Sequence, residues 1–200
     1  MHDLSIDVTQ QARRGGRAVG AVFFAFFGGV WALLGYELGG WRTPLPLIAA
    51  AAVALTLLGV AVRVIRKCRG AMVAVRGGEQ YRRMRRHFRA INAGQWIAAI
   101  IAVFVLHHMR LDEWIAPAIM LIVGLHMLPL ARVFRYRPHY LTGWALILTA
   151  LLYPLATGNG PASALGGMIA AAILWLSAAW SLRQPEALRN GEECSHWGSG

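Results

Sequence analysis

Three polar side chains in the middle of the chain have the types and the spacing of a ligand or proton site. Asn92 and Gln95 precede a short polar turn at residues 109–113, and His126 follows it. Two helices joined by this turn would run antiparallel, so residues whose numbers sum to about 221 would lie at one depth. This register predicts Gln95 opposite His126, with Asn92 one turn nearer the basic end of the hairpin. An imidazole beside two amides could bind a polar molecule or pass on a proton.

The same residues have a structural interpretation. Pro129 has no amide hydrogen for the carbonyl of Leu125, so it leaves an acceptor free beside His126 and favours a kink. A hydrogen bond between Gln95 and His126 would fasten the hairpin and contribute about 0.6 kcal/mol. A buried histidine with an amide partner is satisfied by that pairing, so the structural interpretation is the favoured one.

A second cluster lies at the turn itself, where His107 and His108 stand near Asp112 and Glu113. Imidazoles and carboxylates are ligands of zinc and copper. Adjacent histidines on a helix point about 100° apart, so both could bind one ion only if the helix has ended. A hydrated turn at the membrane surface is the favoured interpretation. We therefore predict no metal site and no cofactor.

Familiar enzyme mechanisms lack their residues. The nine acidic residues all fall near the ends of apolar stretches or between them. Proton- and cation-coupled carriers often place carboxylates within the membrane, so this placement argues against such carriers. The sequence contains no phosphate-binding glycine loop followed by lysine, no H-E-x-x-H and no G-x-S-x-G. We predict that the protein is not an enzyme.

The elements that would position these residues are membrane spans. The chain is 57% hydrophobic and 14% charged, where a soluble domain is about one quarter charged. The apolar residues form blocks that can cross a hydrocarbon layer of about 30 Å. We predict an all-α bundle of six transmembrane helices at residues 18–38, 44–65, 93–108, 114–133, 140–156 and 161–182. Residues 1–17, 66–92 and 183–200 would form an N-terminal segment, a basic loop and a tail.

The basic residues predict the orientation of the bundle. Ten arginines and lysines lie between residues 63 and 89, and three arginines join spans four and five. The connections on the other side contain only Arg42 and Arg110. The positive-inside rule therefore places both termini on the cytoplasmic side of a bacterial inner membrane.

The basic segment also predicts a partner. Tyr81, Met84, Phe88 and Ile91 recur at spacings of three and four among its arginines. This pattern is typical of a basic amphipathic helix that binds anionic lipid head groups and runs into the third span. An ordinary cytoplasmic loop is the alternative. The tryptophans near span ends indicate interfacial anchors, so we expect no nucleic acid partner. A homo-oligomer is compatible with the sequence.

A repeat is also compatible with the sequence. Pro44, Pro117 and Pro161 each stand near the start of the second helix of a hairpin. Trp41 and Trp114 precede the first two of these prolines by three residues. The pattern indicates three helical hairpins in parallel topology.

One stretch resembles a known group of proteins. The sequence V-G-L-H-M-L-P-L-A-R-V-F-R at residues 123–135, followed by Y-L-T-G at residues 140–143, is similar to a pattern in small uncharacterised bacterial multi-pass membrane proteins. The resemblance covers residues 95–143. It implies a fold type and marks His126, Pro129 and Arg132 as positions to test, so Arg132 joins the candidate site.

Two functional hypotheses follow. The first, favoured as the default for a compact multi-pass bundle, is permeation or transport of a small molecule or ion past His126 and Gln95. The alternative is a non-catalytic scaffold that binds lipids or partners through its basic segment and through small residues on exposed helix faces. Those small residues would be Gly28, Gly29, Gly166, Gly167 and Ala171.

Overall fold

The computed structural model describes residues 2–158 and 160–183, and they form a bundle of long helices. The helices are α1 (His2–Leu38), α2 (Leu45–Ala74), α3 (Glu79–His108), α4 (Ile115–Phe134), α5 (Pro138–Ala156) and α6 (Ala164–Arg183). A 3-10 turn, Asp112–Trp114, precedes α4, and no strand occurs in this part of the chain. All six helices are long and apolar enough to cross a membrane. The predicted six-helix architecture is confirmed, and the chain is a multi-pass membrane protein.

Three helices, α1, α2 and α3, extend beyond the predicted spans at their ends on the basic side. α1 includes the segment before residue 18, and α2 and α3 absorb most of the loop predicted at residues 66–92. Arginine, lysine, glutamine and methionine favour helices, so the helix continues where the apolar pattern stops. At 1.5 Å per residue α1 is about 55 Å long, well beyond the hydrocarbon thickness. Of the tail predicted at residues 183–200, residues 184–200 lie outside the described part.

The helices pack in an order that differs from their order in the chain. α1 packs against both α2 and α6, and α5 lies between α6 and α4. α3 packs against α4 and the 3-10 turn. α2 and α3 are joined by residues 75–78 but make no extensive contact in the described part of the chain. The row α2–α1–α6–α5–α4–α3 keeps each predicted hairpin together, and the repeat itself stays a prediction.

Glycines set the closest approaches between helices. A Cβ atom on Gly167 would lie 2.8 Å from two backbone atoms of Gly35 and from the carbonyl oxygen of Trp31, so α6 meets α1 backbone to backbone. A Cβ atom on Gly124 would lie 2.9 Å from the carbonyl oxygen of Gly143, so α4 meets α5 in the same way. Small residues allow such contacts because no side chain separates the backbones.

The scaffold hypothesis requires its small residues on exposed helix faces, and most of them lie elsewhere. Gly166, Gly167 and Ala171 are buried inside the bundle, and Gly28 lies beneath the indole of Trp175. Gly29 is half-buried. That expectation is wrong because these residues serve contacts between helices of one chain. A partner that needs these surfaces could not reach them.

Candidate polar site on the α3–α4 hairpin

The hairpin of α3 and α4 forms a groove that contains both Gln95 and His126. The groove measures about 370 Å³. α3 contributes Ile91, Gly94, Gln95 and Ala98, and α4 contributes Ile122, Leu125, His126 and Pro129. The structure thus places Gln95 and His126 in one groove, as the antiparallel register predicts. Asn92 is half-buried and does not line the groove.

His126 is 8% exposed, and its polar surroundings differ from the expected pairing. Its ring lies near the backbone of Ile91 on α3 and interacts with it electrostatically. Its Nδ1 atom is buried and has no hydrogen-bond partner in the described part of the chain. A neutral imidazole that carries its proton on Nε2 suits this arrangement, because Nδ1 is then an acceptor only.

The side chain of Gln95 is half-buried and makes no hydrogen bond to a described residue. A hydrogen bond between Gln95 and His126 is therefore absent from this part of the structure. Pro129 lies in the groove wall, and α4 continues through it to Phe134. The groove consequently has mainly apolar walls, and the amide of Gln95 in it has no partner among the described residues.

A second buried histidine, His139, lies near the start of α5 and was missed in the sequence. It is 9% exposed, and its Nδ1 has no partner among the described residues. The ring centroids of Tyr136, Phe24 and Phe134 lie 4.9, 5.6 and 6.2 Å from its own. His139 is close enough to His126 for the two rings to interact electrostatically.

Hydroxyl groups continue from His139 toward α6. The Oγ1 atom of Thr142 lies 2.7 Å from the Oγ atom of Ser177, and the hydroxyl of Tyr136 lies 3.5 Å from that of Ser181. One feature of the sequence could have revealed these polar groups. His139, Thr142 and Leu146 are spaced by three and four residues, which places them on one face of α5.

Arg132 follows the groove-lining residues of α4 toward the basic side and is not itself one of them. Leu125, Pro129 and Arg132 follow at spacings of four and three, so Arg132 continues the α4 wall. It is exposed and forms no ion pair with a described carboxylate. On α3, Arg83 precedes Gly94 by eleven residues and lies on the same face. The groove therefore has positive charge at one end.

The two histidines at the polar turn do different things. His107 Nδ1 lies 2.6 Å from Asp112 Oδ1, and His108 stacks on Phe104 with ring centroids 6.4 Å apart. Both histidines are exposed. The part of the chain that the structure describes contains no group of three or more histidine, cysteine, aspartate or glutamate side chains suited to a metal ion. The structure does not bring His107 and His108 to one metal site.

Comparisons with family models, with curated proteins and with solved structures find no match to this chain.

Proposed function

We propose that this protein is a non-catalytic membrane protein that binds anionic lipids on its basic side. The observation that supports this proposal most strongly is the exposure of the ten arginines and lysines between residues 63 and 89. All ten side chains are exposed, and none is paired with a carboxylate of the described residues. Nine of the ten belong to α2 or α3, so regular helices hold them beyond the apolar spans. Each basic residue near an anionic surface contributes about 1 kcal/mol of attraction.

Other features favour lipid binding over the competing hypotheses. Four of the five small residues that a scaffold would present are buried within the bundle: Gly28, Gly166, Gly167 and Ala171. The groove at His126 and a second groove between Leu106 and Leu151 have mainly apolar walls. A permeation pathway needs several polar groups along its length. The grooves suit hydrocarbon chains better than a hydrated solute.

Lipid selectivity tests this proposal. Purified protein in neutral detergent should unfold at a higher temperature after addition of phosphatidylglycerol than after phosphatidylcholine with the same chains. The difference should shrink in high salt, because salt screens exposed charges. A variant with Arg82, Arg83, Arg85 and Arg86 replaced by Gln should lose the difference.

A variant with Arg42 and Arg110 replaced by Gln is the matched control and should keep it. Equal stabilisation of the native protein by both lipids would refute the proposal.

Permeation of a small molecule or ion is the second candidate. His126 and His139, two buried histidines that interact electrostatically, support it. Reconstituted vesicles should then show flux of protons or of a small solute that His126→Ala abolishes without unfolding the bundle. Vesicles that stay as tight as protein-free controls would eliminate this candidate.

The orientation belongs to the same proposal. The basic ends of α2 and α3 meet anionic lipids of a bacterial inner membrane if both termini are cytoplasmic. The positive-inside rule supports that placement.

A further inference from the structure

We infer that the groove between α3 and α4 holds one anionic phospholipid of the leaflet on the basic side. The inference rests on the proposed function and names a site for it. One acyl chain would lie along Gly94, Ala98, Ile122 and Leu125, and the phosphate would meet Arg132. Three features support this occupant: the apolar walls of the groove, the amide of Gln95 and the nearby guanidinium of Arg132, neither of which is paired with a described residue.

The walls suit a hydrocarbon chain. Six of the eight residues that line the groove are apolar: Ile91, Gly94, Ala98, Ile122, Leu125 and Pro129. A Cβ atom on Gly94 would have no other atom within 4 Å, so the groove is open at this point. In a bilayer this space faces lipid and is filled by a chain.

The polar groups lie at heights that match a phospholipid. Register on the hairpin places Gln95 about 10 Å deeper than Arg132 along the helix axes. Helical side chains lean toward the N-terminus of their helix. α3 begins on the basic side and α4 on the other side, so Gln95 leans out toward the head groups and Arg132 leans into the groove. The two side chains therefore converge on the depth of the glycerol esters and the phosphate.

The chemistry of both groups fits the lipid. The amide of Gln95 has two N–H donors and no partner among the described residues, and ester carbonyls are acceptors only. The guanidinium of Arg132 forms no ion pair with a carboxylate of the described residues, and its planar donors match a phosphate. A neutral lipid would leave Arg132 without its counter-charge. Charge complementarity thus favours an anionic head group.

A second copy of the chain is the other occupant to consider. A two-fold axis normal to the membrane would place α3 beside its own copy at the same height. The exposed arginines at the start of α3 would then face identical charges, and like charges disfavour the contact. The observations therefore favour lipid.

Native mass spectrometry with added phosphatidylglycerol tests the site. The native chain should retain one phosphatidylglycerol at least about ten times more tightly than phosphatidylcholine. Gly94→Leu adds a side chain to the groove, with no other atom within 4 Å of its Cβ atom, and should weaken that retention by about ten-fold. Gly59→Leu is the matched control, because Gly59 is an exposed glycine of α2 that also has no atom within 4 Å of a Cβ. It should retain the lipid as the native chain does.

An ether-linked phosphatidylglycerol probes the amide separately, because it lacks the ester carbonyls. The native chain should bind it about three-fold more weakly than the ester lipid, and Gln95→Leu should bind both equally. Unchanged retention in Gly94→Leu would overturn the groove site. If the arginine variant still loses lipid selectivity, the proposed function stands without this site, whereas insensitivity of both variants removes both. A dimer that Gly94→Leu dissociates would also overturn the inference in favour of a second copy.

Discussion

Replacing Gly167 with alanine should destabilise the bundle, because the new methyl group has no space. Its Cβ atom would lie 2.8 Å from three backbone atoms of α1, about 0.6 Å inside the 3.4 Å at which ordinary contact begins. Backbone atoms cannot turn aside as side chains do, so α1 and α6 must separate. Overpacking costs about 1–3 kcal/mol, and the higher helix propensity of alanine offsets up to about 1 kcal/mol. α1 also packs on α2, so we expect the upper part of the range and a net loss of about 2 kcal/mol.

The loss corresponds to a fall of about 4–8 °C in the unfolding temperature of a chain of this size. Thermal unfolding in detergent, followed by helical circular dichroism, measures it. Gly59→Ala introduces the same methyl group on the exposed face of α2, where no atom lies within 4 Å, and should cause no loss. If the two variants unfold at the same temperature, the α1–α6 contact is not limited by backbone atoms and the reasoning fails.

Three further predictions concern single side chains. Trp175→Phe removes the hydrogen bond that Nε1 donates to the carbonyl of Ala25 over 3.2 Å, and should lower the free energy of unfolding by about 0.6 kcal/mol in the same assay. His126→Leu removes the polar contact with Ile91, so α3 should exchange its amide hydrogens faster while α1 keeps its protection, and uniform exchange rates would contradict this. A cysteine in place of Gly158, which is exposed between α5 and α6, should react with an impermeant maleimide added outside intact cells. Labelling only after permeabilisation would reverse the proposed orientation.

Hydropathy was sufficient to predict the spans. Blocks of apolar residues can be satisfied in a bilayer only as helices, because unpaired backbone groups are costly there. The ends of α1, α2 and α3 on the basic side were less predictable. The pattern of hydrophobic residues stops near residue 18 in α1, but the residues before it can still form a helix. Hydropathy marks the membrane boundary and not the helix boundary.

The packing order could not be derived from the sequence. Glycines in α1 and α6 indicated close helix contacts, but the pattern did not specify whether each glycine faces the same chain or a partner. Gly35 and Gly167 face the same chain: they contact each other although 132 positions separate them in the sequence. A contact of this kind depends on the rotation of both helices, which apolar spans with little amphipathic character do not encode.

The candidate site was predicted in part. The antiparallel register placed Gln95 and His126 at one depth, because a hairpin with a short turn leaves little freedom along the helix axes. The surroundings of His126 were not predictable, since the backbone of Ile91, which lies near its ring, carries no sequence signal of its own. His139 was missed for a similar reason: a histidine beside a basic loop resembles an interfacial residue until Phe24 of α1 is known to cover it.

The contact between α1 and α6 has a consequence for biosynthesis. Of the six described helices, α1 leaves the ribosome first and α6 last, yet each supplies a large part of the other's packing surface. During translation the glycine face of α1 must remain against lipid, or against the insertion machinery, until residue 183 has emerged. A nascent chain stopped after α5 would keep that face uncovered, with Gly35 lacking its neighbour. Membrane quality-control proteases that recognise unassembled helices would therefore be expected to degrade such a fragment rapidly.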